Sequence, residues 1–271
     1  MDPCAPSGQT DIDRLIADSP RQNIHLGWMD LSEIEPSSKI IRIEETDHGK
    51  ILLGLQHVGG SIYWLHSFCC PSEASVYDLS GALKTCLPSG DNKIYAISSH
   101  LWFSELLEKN SFVKCDEILQ YESGDLSVPK VQTGYQIRPL TGEQIREAFA
   151  CETVFPPLWR LGSREFVKAF QTSSLNIFIG INGDFAGYLL ADPDEDNCHI
   201  NRLAVPQEYQ NSGAATALLS AMAEECRARN ITHFSVNTNK NNTAAVNFYL
   251  RRNFSREGRT YPVYGRYIHI R

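Results

Sequence analysis

Apolar residues in the first half of the chain alternate with polar ones and then change period. The runs Lys39–Glu44, Lys50–Val58 and Ser61–Cys69 are rich in β-branched and aromatic residues, which predicts strands. Asp47-His48-Gly49 and Gly59-Gly60 lie between them as turn formers, so the region reads as an antiparallel meander. After Pro71, Val76, Leu79, Leu83 and Leu87 recur at helical spacing until Pro88-Ser89-Gly90 stops the helix. Lys93–Ser98 predicts another strand, Leu101–Lys109 another helix with Leu101, Leu106 and Leu107 as its apolar positions, and Asp116–Tyr121 a closing strand. Residues 1–22 are polar and broken by prolines. They predict a mobile tail with at most a short helix around Ile12–Ala17.

Residues 123–135 carry turn formers and no periodicity, which marks a linker. Beyond it, Gln136–Pro139 reads as a strand, with helical patterns from Thr141 and over Ser163–Phe170. Strands Asn176–Ile181 and Phe185–Ala191 are joined by the hairpin turn Asn182-Gly183-Asp184. Then follow strand Cys198–Val205, a long helix Gly213–Arg229, strand His233–Asn237, helix Thr243–Arg252, and final strands near Gly258 and over Tyr264–Ile270. The alternation predicts an α/β fold with a mixed sheet in two domains, 23–122 and 136–271.

The chain has 271 residues, 42% of them hydrophobic and 21% charged, which suits two globular domains. A net charge of -7 argues against a general nucleic-acid binder and leaves room for a cationic acceptor. The eight cysteines show no CxxC spacing, so neither a zinc site nor a disulfide framework is expected. No secretory signal pattern and no apolar run of ~18 residues occur. The expected location is cytoplasmic, with no membrane partner and no metal; a homodimer is left open.

The chemistry concentrates after strand Cys198–Val205, in the loop Gln210-Asn211-Ser212-Gly213-Ala214-Ala215 and the helix it opens. A helix N-terminus offers unpaired N–H groups and partial positive charge, which suits a pyrophosphate when nearby side chains are small. The bland alternative is that Gly and Ala only permit close helix–sheet packing. A second segment, SVNTNKNNTAAVNFYLRRNF, pairs a strand with a polar loop and a helix bearing Ala245 and Tyr249.

Together the two segments resemble the GNAT superfamily of acetyltransferases. Gln210, Gly213 and Ala215 match its Q/R-x-x-G-x-G/A pattern; Asn242, Ala245, Tyr249 and Phe254 match N-x-x-A-x-x-x-Y and the aromatic that follows. The resemblance covers roughly residues 136–260. It implies acetyl-CoA as cosubstrate, its pantetheine arm on the backbone of Leu203, Ala204 and Val205. The pyrophosphate would lie on the amides of Asn211, Ser212, Gly213, Ala214, Ala215 and Thr216, with Asn242 also touching the cofactor. Tyr249 would donate a proton to the departing thiolate; otherwise it simply packs its helix on the sheet.

The sequence departs from the family in two places. Asn253 replaces the glycine before Phe254, a small change because Asn tolerates the left-handed conformation. Some members carry a basic Glu where this chain has His199, and others where it has Asn237, which cannot take a proton. His199 is therefore the candidate base, its ordinary pKa being ~6.5. Glu152 and an ordered-water relay stand behind it, and a His199 that merely lines the cleft is the remaining reading. In the variable region Cys151–Phe170, Phe155 and Trp159 read as core or substrate stack, and Arg160 and Arg164 as surface or as carboxylate contacts.

The first half reads as a degenerate copy. Aligning Phe112 with Phe254 places Leu107 at Tyr249, Phe103 at Ala245 and His100 at Asn242, so the polar cofactor positions are lost. The stretch PSEASVYDLSG after Cys70 also lacks the Gln-Gly-Ala pattern. The expected activity is acetyl transfer from acetyl-CoA to a primary amine, on a small molecule or a peptide, in a ternary complex. A non-catalytic acyl-CoA-binding or interaction protein is the alternative. A Rossmann-type nucleotide site is disfavoured, since the loop lies deep in the chain and lacks G-x-G-x-x-G.

Overall fold

A computed structural model describes residues 9–24, 39–71, 76–124, 126 and 134–271. Most of the expected linker and residues 72–75 of the loop after Cys70 fall outside the described residues. The chain divides into two compact units. Unit 1 is Met1–Glu117 with Tyr261–Arg271, and unit 2 is Ile118–Thr260. The packing therefore cuts the chain differently from a linear split between residues 122 and 136. Residues 118–123 join the second unit and the C-terminal residues join the first.

In unit 1, β2 (Lys39–Thr46), β3 (Gly49–Gly59) and β4 (Ile62–Cys70) form the expected meander. α2 (Val76–Cys86) then crosses to β5 (Gly90–Ile97), which lies parallel to β4 over Ile62–Leu65 and Lys93–Ala96. The other side of β5 pairs antiparallel with Val263–Ile270. Leu53, Leu55, Phe68, Leu79, Leu83, Phe103 and Leu107 fill the core, each essentially removed from solvent. Burying such a side chain contributes roughly 1.5–3 kcal/mol.

The short helix expected around Ile12–Ala17 is present, and a strand follows it. Gln9–Asp18 forms α1 and Arg21–Ile24 forms β1. Ile12, 3% exposed, packs with Leu52 and Cys69, and this apolar anchor outweighs the polar composition around it.

In unit 2, β7 (Tyr135–Pro139), β8 (Leu175–Ile181), β9 (Asp184–Pro193) and β10 (Asn197–Ala204) run antiparallel in that order. β11 (His233–Asn239) is parallel to β10, and residues 118–123 of β6 (Val113–Ser123) pair antiparallel with β11. One face packs on α6 (Ala214–Ala228) and α7 (Thr243–Leu250); the other packs on α4 (Ile145–Ala150) and α5 (Ser163–Thr172). The predicted helix from Thr141 begins as a 3₁₀ turn held by a Thr141–Gln144 capping box. The two predicted final strands are one, β12 (Ser255–Ile270), which includes Gly258 in the left-handed region at φ 75°.

The two units share local detail. α3 (Leu101–Lys109) has His100 at its N-cap, as α7 has Asn242. Ser111 and Asn253, both at φ 62°, turn the chain left-handed after these helices. The amide of Phe112 donates to Leu107 O at 3.0 Å, and that of Phe254 to Tyr249 O at 3.2 Å. The alignment of Phe112 with Phe254 is thus also a match of backbone geometry.

Candidate functional site

The site grows from a break in strand pairing. β10 and β11 are in register only from Asn197↔His233 to Ile200↔Val236. A bulge between Ile200 and Arg202 follows on the β9 side, and β10 continues to Ala204 while β11 continues to Asn239. Beyond Ile200 the two strands no longer pair, so Leu203 and Ala204, with Val205 after them, present a strand edge that has no β11 partner. Bulges re-aim strands in this way. Gly187 on β9 sits at φ 149°, and a Cβ there would meet Ala204 O at 2.6 Å, so β9 crosses the end of β10 at a distance that only glycine permits.

The chain then enters the loop. Gln210 Nε2 donates to Val205 O at 3.1 Å, folding the loop back on the strand end. Asn211 (φ 61°) and Gly213 (φ 97°) are left-handed, and Gly213 is the N-cap of α6. With no side chain, Gly213 cannot cap the first-turn amides as Ser or Asp would. Ser212 Oγ donates to Tyr209 O at 2.6 Å and accepts from Ala214 N at 3.3 Å. Tyr135 donates to Ser212 O, and its hydroxyl would lie 3.3 Å from a Cβ on residue 213. Ala214 is buried, Ala215 and Thr216 half-buried. Small residues, a strained left-handed turn and a fifteen-residue helix whose N-cap residue makes no side-chain hydrogen bond suit a diphosphate. The residues present fit a coenzyme A thioester.

Tyr249 is 5% exposed, set between the rings of Phe248 and Phe254. Burial pushes its phenol well above the usual 10, so it carries its proton throughout the working range. Tyr249, Val205 and Ala214 belong to one apolar cluster, against which Leu203, Ala215 and Ala245 pack. Asn242 Oδ1 accepts from Ala245 N at 3.2 Å, so this residue caps α7.

His199 lies on the other face. Its neighbours Cys198 and Ile200 point into the α6 core, so strand alternation turns His199 away from it. His199 Nδ1 is 2.9 Å from Ser235 Oγ, and Asp192 is its partner across β9. Burial lowers its pKa below 6.5, partly offset by the charge of Asp192.

Glu152, the other carboxylate considered as a base, is fully committed. At 1% exposure it pairs with Arg202, accepts from Tyr188 OH, and accepts from Leu161 N at 2.9 Å. Arg202 also lies 3.8 Å from the Phe155 ring centroid and donates to Trp159 O at 3.2 Å. Phe155 and Trp159 are thereby tied to this buried pair. Arg160 donates to the carbonyls of Thr153 and Phe155.

The sequence reading passed over Arg252. Its guanidinium stacks 3.9 Å from the Phe248 centroid and donates to Thr216 Oγ1, while Nε is buried without a partner. A cation thus reaches the first turn of α6. Nothing in the local pattern announced this: the helix, expected to run to Arg252, ends at Leu250, and Thr216 is 36 residues away in sequence. Among the described residues no cluster of His, Cys, Asp and Glu could hold a metal ion, and no helix is long and apolar enough to cross a membrane.

The splayed parallel strands and the glycine-started helix define an acyltransferase-type fold. Residues 143–254 match the profile of the "Acetyltransferase (GNAT) family". This segment is a GNAT-family domain. No curated protein matches the chain. Solved structures share the fold: a GCN5-related N-acetyltransferase from Sphaerobacter thermophilus has TM-score 0.58 at 13% identity, covering 86% of this chain and 77% of that one. A tandem GNAT protein from the clavulanic acid biosynthesis pathway has TM-score 0.59 at 10% identity, with 86% and 85% covered. A Drosophila protein reaches 0.56 at 12% identity and covers 99% of both chains. The fold is of the tandem GNAT type.

Proposed function

We propose that unit 2 transfers the acetyl group of acetyl-CoA to a primary amine, on a small molecule or a peptide, by direct attack within a ternary complex. The observation that carries this reading is the unpaired edge of β10 running straight into the Gly213 turn. The cosubstrate supplies an activated thioester. The backbone of Leu203–Val205 would hold its pantetheine arm, the amides of Asn211–Thr216 its pyrophosphate, and Arg252 its remaining negative charge. Asn242, whose Oδ1 caps α7, would offer its side-chain amide N–H groups to an anionic cofactor.

The phenol of Tyr249 keeps its proton available for the departing sulfur. His199 is held neutral by burial and can take a proton from the acceptor's ammonium, directly or through water, freeing the neutral amine to attack the thioester carbonyl. The acidic chain as a whole favours a cationic acceptor over nucleic acid, and the expected compartment is the cytoplasm. Acetyl-CoA titrated calorimetrically into the full chain tests the cosubstrate. One site per chain is expected, and Gly213→Val, which puts bulk and a disfavoured φ into the turn, is expected to abolish it. Equal binding by the wild type and this variant would remove the loop from the site.

A further inference from the structure

The split between β10 and β11 in unit 2 has a counterpart in unit 1. There the parallel pairing of β4 with β5 runs from Ile62↔Lys93 to Leu65↔Ala96 and then stops. β4 shifts register against β3 between Leu65 and Ser67, so His66 bulges as Asn201 does. Counting from the pairing and the bulge, Phe68, Cys69 and Cys70 stand where Leu203, Ala204 and Val205 stand in unit 2. In unit 1 this edge is covered. β1 pairs antiparallel with it, Arg21↔Cys70, Gln22↔Cys69, Asn23↔Phe68 and Ile24↔Ser67.

Asn23 closes the other side of the split. Its side chain is 1% exposed; Nδ2 donates to Ile97 O at 3.0 Å and Oδ1 accepts from Ser99 N at 3.0 Å. One carboxamide thus bridges a carbonyl and the amide two residues on. That is the arrangement by which a residue of a parallel neighbour strand would pair with Ser98. β1 is tied down as well. Gln22 Nε2 donates to Ser19 O at 2.9 Å, and the Arg21 guanidinium lies 5.8 Å from the Trp102 ring.

We infer that the split between β4 and β5 is a strand-accepting peptide site, occupied by the chain's own segment Arg21–Ile24. The backbone of β1 satisfies β4, and the amide of Asn23 satisfies the end of β5. The chain thereby fills in unit 1 the slot that, on the function proposed above, takes a cofactor arm in unit 2. A secondary amide chain of either kind meets the same donors and acceptors. Unit 1 accordingly binds an extended peptide and no acyl-CoA. In the polar run Arg21-Gln22-Asn23, Asn23 is buried and its two neighbours are half-buried because the run completes a sheet.

The experiment uses a chain lacking residues 1–24 and a fluorescein-labelled peptide of residues 9–26, followed by fluorescence anisotropy. The shortened chain is expected to bind the peptide saturably, the intact chain not to bind it, and a peptide with Asn23→Ala to bind at least about tenfold more weakly. Absence of binding by a folded shortened chain, or binding indifferent to Asn23, would overturn the inference. If the shortened chain does not fold, amide exchange in the full-length Asn23→Ala protein decides. The Ser99 amide should exchange about tenfold faster while those of Ile94 and Tyr95 are unchanged; equal exchange at Ser99 in both proteins would sink the idea. These readouts concern unit 1 alone, so they hold whether or not unit 2 binds acetyl-CoA.

Discussion

Replacing Glu152 with glutamine removes one charge from the ion pair with Arg202 while leaving the shape of the site almost unchanged. Both partners are inside unit 2, at 1% and 7% exposure, so solvent screening does little for the charge left behind. Removing one member of such a pair costs about 3–5 kcal/mol, because the remaining charge is desolvated without compensation. Arg202 would keep its contacts with Trp159 O and the face of Phe155 but lose its counter-charge. For a domain of this size each kcal/mol shifts the midpoint by roughly 2–4 °C, so Glu152→Gln should melt about 6–20 °C lower.

The assay is thermal unfolding followed by circular dichroism for Glu152→Gln, and for Glu152→Met, Arg202→Met and the combination of these last two. Removing both charges should recover at least about 2 kcal/mol relative to the sum of the single losses. A Glu152→Gln protein as stable as the wild type, with strictly additive combinations, would refute the buried-pair reasoning. If that stable protein also lost the acidic limb of its pH–rate profile, Glu152 would have to be returned to the chemistry.

Four further outcomes are expected. Tyr249→Phe should still bind acetyl-CoA by calorimetry but lose roughly 10²–10⁴ in turnover, while wild-type kcat should show no alkaline loss from this phenol below pH 10, since burial raises its pKa. His199 has its pKa lowered from 6.5 by burial; as a base it works in its neutral form, so the acidic limb of kcat/KM should fall below pH 6.5 and change in His199→Gln. An unchanged limb in that variant would transfer the role to water or another group. Arg252→Met should weaken acetyl-CoA binding about tenfold or more in a calorimetric titration, with less effect on kcat.

What was legible in the sequence is what local rules control. Gly213 was readable because a phosphate site at a helix start calls for small residues, and Asn242 only through the family pattern; its role as the cap of α7 was not foreseen. The backbone match of Ser111-Phe112 with Asn253-Phe254 was readable because a short polar turn closes each helix locally. The Glu152–Arg202 pair was not, since the partners are 50 residues apart and nothing in either neighbourhood names the other. β1 was invisible because Arg21-Gln22-Asn23 shows no apolar alternation; it is a strand only where β4 has an unpaired edge. The exchange of residues 118–123 and 261–271 between units likewise depends on pairing with β11 and β5, which no turn or period in those segments announces.

Amine-dependent release of free thiol from acetyl-CoA is the most direct test of acyl transfer by unit 2. The full chain, given acetyl-CoA and a panel of small amines and peptides, should release thiol with at least one acceptor, in step with formation of the acetylated amine. Tyr249→Phe should slow that release by roughly 10²–10⁴ while retaining cofactor binding. Thiol release that is unchanged in Tyr249→Phe, or tight acetyl-CoA binding with no release across the panel, would contradict it.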